Sequence, residues 1–424
     1  MSFKKQGLGI LVVAMSFGTA WAIRGQFGHE QGAAWAGAIG GLAILLVSNR
    51  TDWYNKMILV ALASAVGWGA GGMISYGMVV GYGRSDNFIN AFYGLGMLFF
   101  IGALFGLLGG GLVGMVLDST EKKKVKWGAL VSEMVAGGLI SYFFLVEQIG
   151  FKMTPPRSEA WALIFGSVLA MLWHMARENR NSPIRTAVFS AVGGGFGFAF
   201  GNFLQVVGNT MEVQFNMWNV MEYSIGFFGG SGMAYGVFSS KWPFEEIKVE
   251  NWANRIALFI LVVFVPLIVY RESLSYNHLV KRLGDIASLE YTALVSTVFL
   301  VVLLICMSIL VFWKLRRISY KKKDVTFFLL IYLTTYAILS YVVTGLFAGR
   351  MELNHHLYIL NILLISGMIM KGEFINLESV SKKINVKKWA ISFVTIIFFI
   401  AVLSLIATNI HEELPGAKNR FFID

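Results

Sequence analysis

The chain has 424 residues, 56% of them hydrophobic and 14% charged, with a mean hydropathy of +0.66 and a formal charge of +11. A soluble domain carries roughly 25% charged residues, so an ordinary globular protein is excluded, as is a disordered chain. The one cysteine, Cys306, lies in an apolar run, which removes a disulfide framework and a Cys-based metal site.

Apolar runs of about 17–25 residues match the helix length that crosses a hydrocarbon layer of roughly 30 Å. They fall near residues 7–23, 31–48, 57–82, 90–117, 127–149, 160–176, 186–207, 217–238, 255–271, 290–313, 325–348, 355–370 and 389–408. The expected fold is therefore all-α, a polytopic integral membrane protein of about thirteen transmembrane helices. The first run has a rival reading. Lys4 and Lys5, an apolar stretch from Leu8 to Thr19, and Ala20-Trp21-Ala22 imitate a cleavable signal peptide. The Gly/Ala-rich segment that follows favours a retained helix.

With a cytoplasmic N-terminus, about 25 of the 35 basic residues fall on the cytoplasmic side: Lys4, Lys5, Arg50, Lys56, the 122–126 group, Arg177, Arg180, Arg185, Lys241, Lys248, Arg255 and the 314–323 and 371–388 clusters. That asymmetry is the one the positive-inside rule expects, and it predicts an external C-terminus in a multi-pass inner-membrane protein. Membrane lipids account for the net charge. Nucleic acid need not be invoked, because the basic residues are divided among loops.

Forty of the 46 glycines precede residue 241. Small residues let membrane helices approach closely, so residues 1–240 are expected to form a tight eight-span bundle. Residues 241–254 would be a cytoplasmic linker, and 255–424 a five-span module that faces lipid or a second copy of the chain. Within the bundle, Ser64–Gly71 is echoed by Ser190–Gly197, Asn87, Asn90 and Tyr93 by Asn216, Asn219 and Glu222, and Ala70–Tyr76 by Ala136–Tyr142. The expectation is related helical hairpins repeated about an axis along the membrane normal.

Ionisable groups are costly in a bilayer and normally face a cavity or one another. Those of the first module, with neighbouring amides, gather at the external ends of its helices: Arg24, His29 and Glu30 in the first turn, Arg84, Asp86 and Asn87 in the second, Glu147 and Gln148 in the third. Asn202, Gln205 and Asn209 share one face of the seventh span, and Asn216, Asn219 and Glu222 stripe the eighth. Glu222, about 8 Å inside its helix, must hold a proton or find a cation such as Arg24 or Arg84. The alternative is a plain ion pair that locks helices together. Gly25 and Gly28 would let Arg24, His29 and Glu30 converge on one ligand. A metal is not expected, since no His-x-x-x-His spacing exists, and Gly67, Gly69 and Gly72 lack the strand that a dinucleotide fingerprint requires.

Glu133 and His174 are expected as helix-end side chains, or else as an inner gate. Arg350, Glu352, His355 and His356 read as an interfacial turn. Residues 273–290 place Leu274, Leu279, Val280, Leu283, Ile286 and Leu289 opposite Lys281, Arg282 and Asp285, which predicts a segment lying on the membrane surface.

These features lead to an expected transporter or channel-like permease for a small polar or anionic solute. Its pocket would draw on Arg24, His29, Glu30, Arg84, Asn87, Glu147, Asn202, Gln205, Asn209, Asn219 and Glu222, with no cofactor. No Walker motif is present, so transport would run on an ion gradient. The alternative is an intramembrane transferase or hydrolase at the outer face, with His29 or Glu222 as base and Arg24 stabilising an anion. An assembly subunit docking through the five-span module is a third reading.

Overall fold

The computed structural model describes residues 2–245, 249–284, 286, 288–317, 319–372, 374 and 386–422. Lys248, Asp285 and part of the 371–388 basic cluster lie outside the described residues. All elements are helical, and eleven helices among the described residues are long and apolar enough to cross a membrane. The chain is a polytopic, all-helical membrane protein.

The first half comprises α1 (Ser2–Arg24), α2 (Glu30–Ser48), the single turn α3 (Thr51–Tyr54), α4 (Met57–Gly71), α5 (Gly77–Gly83) and α6 (Phe88–Asp118). There follow α7 (Trp127–Tyr142), α8 (Ala160–Arg177), α9 (Asn181–Thr210) and α10 (Met217–Phe238). Six of these close a ring in which neighbours are, in turn, α1, α10, α9, α6, α4 and α2. Glycine makes the ring tight. A Cβ on Gly102 of α6 would meet the Gly194 carbonyl oxygen of α9 at 2.3 Å, and one on Gly67 of α4 would lie 2.7 Å from the Gly109 backbone of α6. Helices α7 and α8 pair outside the ring, and α7 is largely exposed.

The apolar run at 57–82 does not form one span. Helix α4 has 15 residues, about 22 Å, too short for the hydrocarbon layer. Residues 72–76 leave the helix before α5 resumes it. Hydropathy continues across Gly71-Gly72 because the irregular segment is packed in protein rather than exposed to lipid, where its backbone groups would go unpaired. Helix α10 is a full-length helix of the ring, lined with polar and glycine residues.

The second half contains α11 (Asn251–Phe259) and α12 (Val265–Val269), joined by a wide π turn at 260–264. It continues with α13 (Tyr276–Leu283), α14 (Leu289–Leu315), α15 (Lys322–Thr344), α16 (Leu353–Lys371) and α17 (Val386–Ile410). Pro266 has no N–H for the Val262 carbonyl four residues earlier. The Ser308 hydroxyl of α14 donates to that oxygen at 2.6 Å instead. Trp35 of α2 is stacked between Tyr332 and Tyr336 of α15, with ring centroids 4.6 and 4.9 Å away. Helix α16 rests on α1, where Asn361 Nδ2 donates to Thr19 Oγ1 at 3.2 Å, and α17 packs on α6 and α9. The segment expected on the membrane surface is docked instead: Leu274, Leu279 and Leu283 are buried in the core, so its apolar stripe faces protein.

Basic side chains tie together one end of the molecule. Lys56 Nζ donates to the Leu117 and Ser119 carbonyls at the C-terminus of α6, at 2.9 and 2.7 Å, where a cation also complements the helix dipole. Arg180 bonds Asp118 at 3.0 Å and the carbonyls of Lys123 and Lys124, while Arg50 grips Asp52 and the Pro243 carbonyl. The opposite end opens into a cavity.

Candidate functional site

At that opposite end α1 stops at Arg24, and a four-residue connection leads to His29 and α2. Gly28 makes this turn with φ +91°, a backbone conformation that side chains disfavour. The broken stretch 72–76 passes directly beneath it. A Cβ on Gly72 would lie 2.3 Å from the His29 carbonyl oxygen, so only glycine lets the two turns touch. The consequence is that Tyr76 stands beside the end of α1.

Arg24, Tyr76 and Glu222 form a closed triad. Arg24 Nη1 donates to Tyr76 Oη at 2.8 Å and to Glu222 Oε2 at 2.9 Å, and Tyr76 Oη donates to Glu222 Oε1 at 2.7 Å. All three are buried, with Arg24 1% exposed and Glu222 6%. Glu222 has thus found the cation that its depth demands. Arg24 Nη2 donates to His29 Nδ1 at 3.0 Å. A guanidinium has no acceptor, so Nδ1 accepts and the ring proton sits on Nε2. The surrounding protein, with the positive charges of Arg24 and Arg157, lowers the His29 pKa to about 4 although the ring is open to the cavity. The imidazole is therefore neutral at physiological pH.

The triad forms the floor of a cavity of about 1030 Å³. Below it, along the ring axis, the space is filled by fully buried aromatic rings. Arg24 lies 5.1 Å from the Trp21 ring, Trp21 packs on Trp68 at 5.3 Å and on Phe105 at 5.9 Å, and Phe17 on Trp68 at 4.7 Å. The walls come from separate segments. Arg157 is in the loop before α8, Arg282 on α13, Arg350 in the turn before α16, and Lys418 in the tail after α17. With Arg24 they make, among the described residues, five cations against two carboxylates, Glu222 and Glu352.

The tail is held by a dedicated clamp. Asn90 Oδ1 accepts from the backbone N–H groups of Arg420 and Phe421 at 2.7 and 2.8 Å, and its Nδ2 donates to the Phe421 carbonyl at 3.0 Å. The Lys418 N–H donates to the Gly81 carbonyl at 3.0 Å.

Of the residues expected to build the pocket, Arg24, His29, Asn219 and Glu222 line this cavity; the others do not. Arg84 donates to the Pro415 carbonyl at 3.1 Å and lies over Trp218, so it supports the tail. Asn87 caps the N-terminus of α6, accepting from Ile89 and Asn90 N–H, and Asn216, which also borders the cavity, caps α10, accepting from Asn219 N–H. Asn202 and Gln205 are fully buried against α5, where Asn202 Nδ2 faces the Val80 carbonyl at 3.4 Å. Glu30 is exposed on the first turn of α2, Asn209 half-buried near the end of α9, and Glu147 exposed in the π turn Phe143–Gln148 that follows the outlying α7. Glu133 pairs with His174 and Arg177 between α7 and α8, outside the ring, and forms no gate on its axis. No group of three or more His, Cys, Asp or Glu side chains placed to hold a metal occurs among the described residues.

Sequence reasoning missed Tyr76, which a continuous apolar run conceals, and the wall cations Arg157, Arg282, Arg350 and Lys418. A signal for the cations existed. Ten basic residues remain when the 25 on the cytoplasmic side are subtracted from 35, and all five cavity cations are among those ten. Comparisons with protein-family models, curated proteins and solved structures return no match.

Proposed function

We propose that the protein is a membrane transporter for a small anionic solute, captured in the cavity on the external side of an inner membrane. The N-terminus would then be cytoplasmic and the C-terminus external. The observation that carries the reading is a cation-rich cavity entering one end of a helix ring, with a buried Arg24–Tyr76–Glu222 triad at its floor beside a broken helix. Discontinuous helices at a substrate site are a recurrent transporter device. The orientation is supported by the basic side chains gathered at the opposite end.

The arrangement suits binding better than acid–base chemistry. Both oxygens of Glu222 accept strong hydrogen bonds, and the His29 lone pair on Nδ1 is engaged by Arg24, so neither group offers a free proton acceptor to a substrate. His29 instead presents an Nε2–H donor. The aromatic packing below the triad is that expected of an outward-open state closed at its inner half. The indole N–H groups of Trp21 and Trp68 have no acceptor among the described residues, leaving two donors beneath the floor for an anion moving inward.

The test is solid-supported-membrane electrophysiology on proteoliposomes, with gradients of inorganic phosphate, phosphate esters and carboxylates. Glu222→Gln is expected to reduce the current at least tenfold, and Glu133→Gln to leave it unchanged. Correctly inserted protein that gives no current with any of these anions refutes transport.

A further inference from the structure

The walls of the cavity say more about the solute than its sign. Among the described residues, Arg157, Arg282 and Lys418 reach it from three unconnected segments, and with the Arg24–Glu222 pair set aside their charge exceeds that of Glu352 by two; Arg350, which donates to the Leu283 carbonyl, is left out of that balance. A monocarboxylate would balance only half of that excess. A phosphate monoester carries close to two negative charges at pH 7 and offers three acceptor oxygens, which suit the planar donor forks of arginine. The space, about 1030 Å³, is at the upper end of small-molecule pockets and far larger than an inorganic ion needs. The α10 side of the same cavity is of different character. Trp218, 44% exposed with Arg84 over its ring, and Asn219 lie there.

Resting on the reading that the cavity takes an anionic solute, we propose that its ligand is a hydroxyl-bearing phosphate ester. Its phosphate lies among Arg157, Arg282 and Lys418, and its hydroxyl-bearing body lies against Trp218 and Asn219. Lys418 belongs to this set only because the tail is docked. The Asn90 clamp, which touches no part of the cavity, positions it. A soluble glycerol phosphate offers this chemistry, whereas the headgroup of phosphatidylglycerol, a phosphodiester with one negative charge, does not.

The test uses the full-length protein in phosphatidylcholine nanodiscs, titrated calorimetrically with glycerol-3-phosphate, inorganic phosphate and glycerol. Glycerol-3-phosphate is expected to bind at least tenfold tighter than inorganic phosphate and a hundredfold tighter than glycerol. Lys418→Ala should weaken it about tenfold, Lys418→Arg should restore most of the loss, and Asn90→Ala should weaken it as Lys418→Ala does. Lys124→Ala, at the other end of the molecule, should change nothing. Thermal unfolding and size-exclusion profiles confirm that each variant is folded, and Lys418→Arg keeps the test informative if truncation disturbs the tail. Nanodiscs containing phosphatidylglycerol check the charge requirement: undiminished binding of the soluble ester is expected, and competition by the singly charged lipid headgroup overturns the proposal. Affinity for glycerol-3-phosphate no greater than for glycerol, or equal in wild type and in Lys418→Ala, overturns it. Binding without current refutes transport alone, whereas current carried only by carboxylates refutes this inference and leaves transport standing.

Discussion

Replacing Arg24 with leucine removes the cation from a nearly buried site at the floor of the cavity. Glu222 then keeps only the Tyr76 hydroxyl, at 2.7 Å, against the burial of its charge, and His29 loses its donor. Removing one member of a buried, hydrogen-bonded ion pair costs about 3–5 kcal/mol, because the other charge is left uncompensated. Replacing both Arg24 and Glu222 by leucine removes the stranded charge as well, so the double variant is expected to lose less than the sum of the two single losses, with a coupling of about 2–3 kcal/mol. The assay is equilibrium unfolding in mixed micelles followed by tryptophan fluorescence, for which Trp21, packed beneath Arg24, is a local reporter. A cost below about 0.5 kcal/mol for Arg24→Leu, or two single losses that add within that margin, would refute the argument that the triad is held by mutual compensation of buried charge.

Gly102→Leu places carbon where the Gly194 carbonyl stands and should cost about 1–3 kcal/mol or prevent assembly, while Gly96→Ala, with nothing within 4 Å, should be neutral in the same unfolding assay. Trp35→Ala empties the stack between Tyr332 and Tyr336 and should cost about 3–5 kcal/mol, read as lowered thermal stability. His29, with its pKa lowered to about 4, stays neutral in the folded protein while the unfolded chain takes up a proton near pH 6.5. Its contribution to stability is therefore complete above pH 6.5 and lost as pH falls from 6.5 to 4. Since solvent reaches the ring, the loss is about 1 kcal/mol or less, and unfolding curves of His29→Gln should lack this part of the pH dependence. Asn216→Ala removes the cap of α10 and should cost about 1 kcal/mol in the same assay.

Much of the site's content was legible before its shape was. Glu222 stood out because a carboxylate inside an apolar helix needs a partner, and Arg24 was one of two cations at the right depth. What linear reasoning could not do was choose between Arg24 and Arg84. Depth along the membrane normal ranks residues by cost, but it does not say which helices adjoin. The ring order brings α1 against α10, so Arg24 reaches Glu222, while Arg84, at the start of the α5–α6 connection, meets the returning tail. Asn87, Asn202 and Gln205 are the same lesson: polar groups at the expected depth, used for a helix cap and for packing on α5. Tyr76 was hidden for the opposite reason, because protein burial satisfies a broken backbone without any drop in hydropathy.

Residues 1–424 by themselves determine that the chain lives in a membrane, where most of its helices run, and that its basic residues gather at one end. These follow from the cost of placing backbone and charge in hydrocarbon, a quantity summed residue by residue along the chain. The close glycine contacts, the closure of six helices into a ring, the break at 72–76 and the delivery of Arg157, Arg282, Arg350 and Lys418 to one cavity depend on which surfaces meet. That is a property of pairs distant in sequence, and only the tertiary structure decided it.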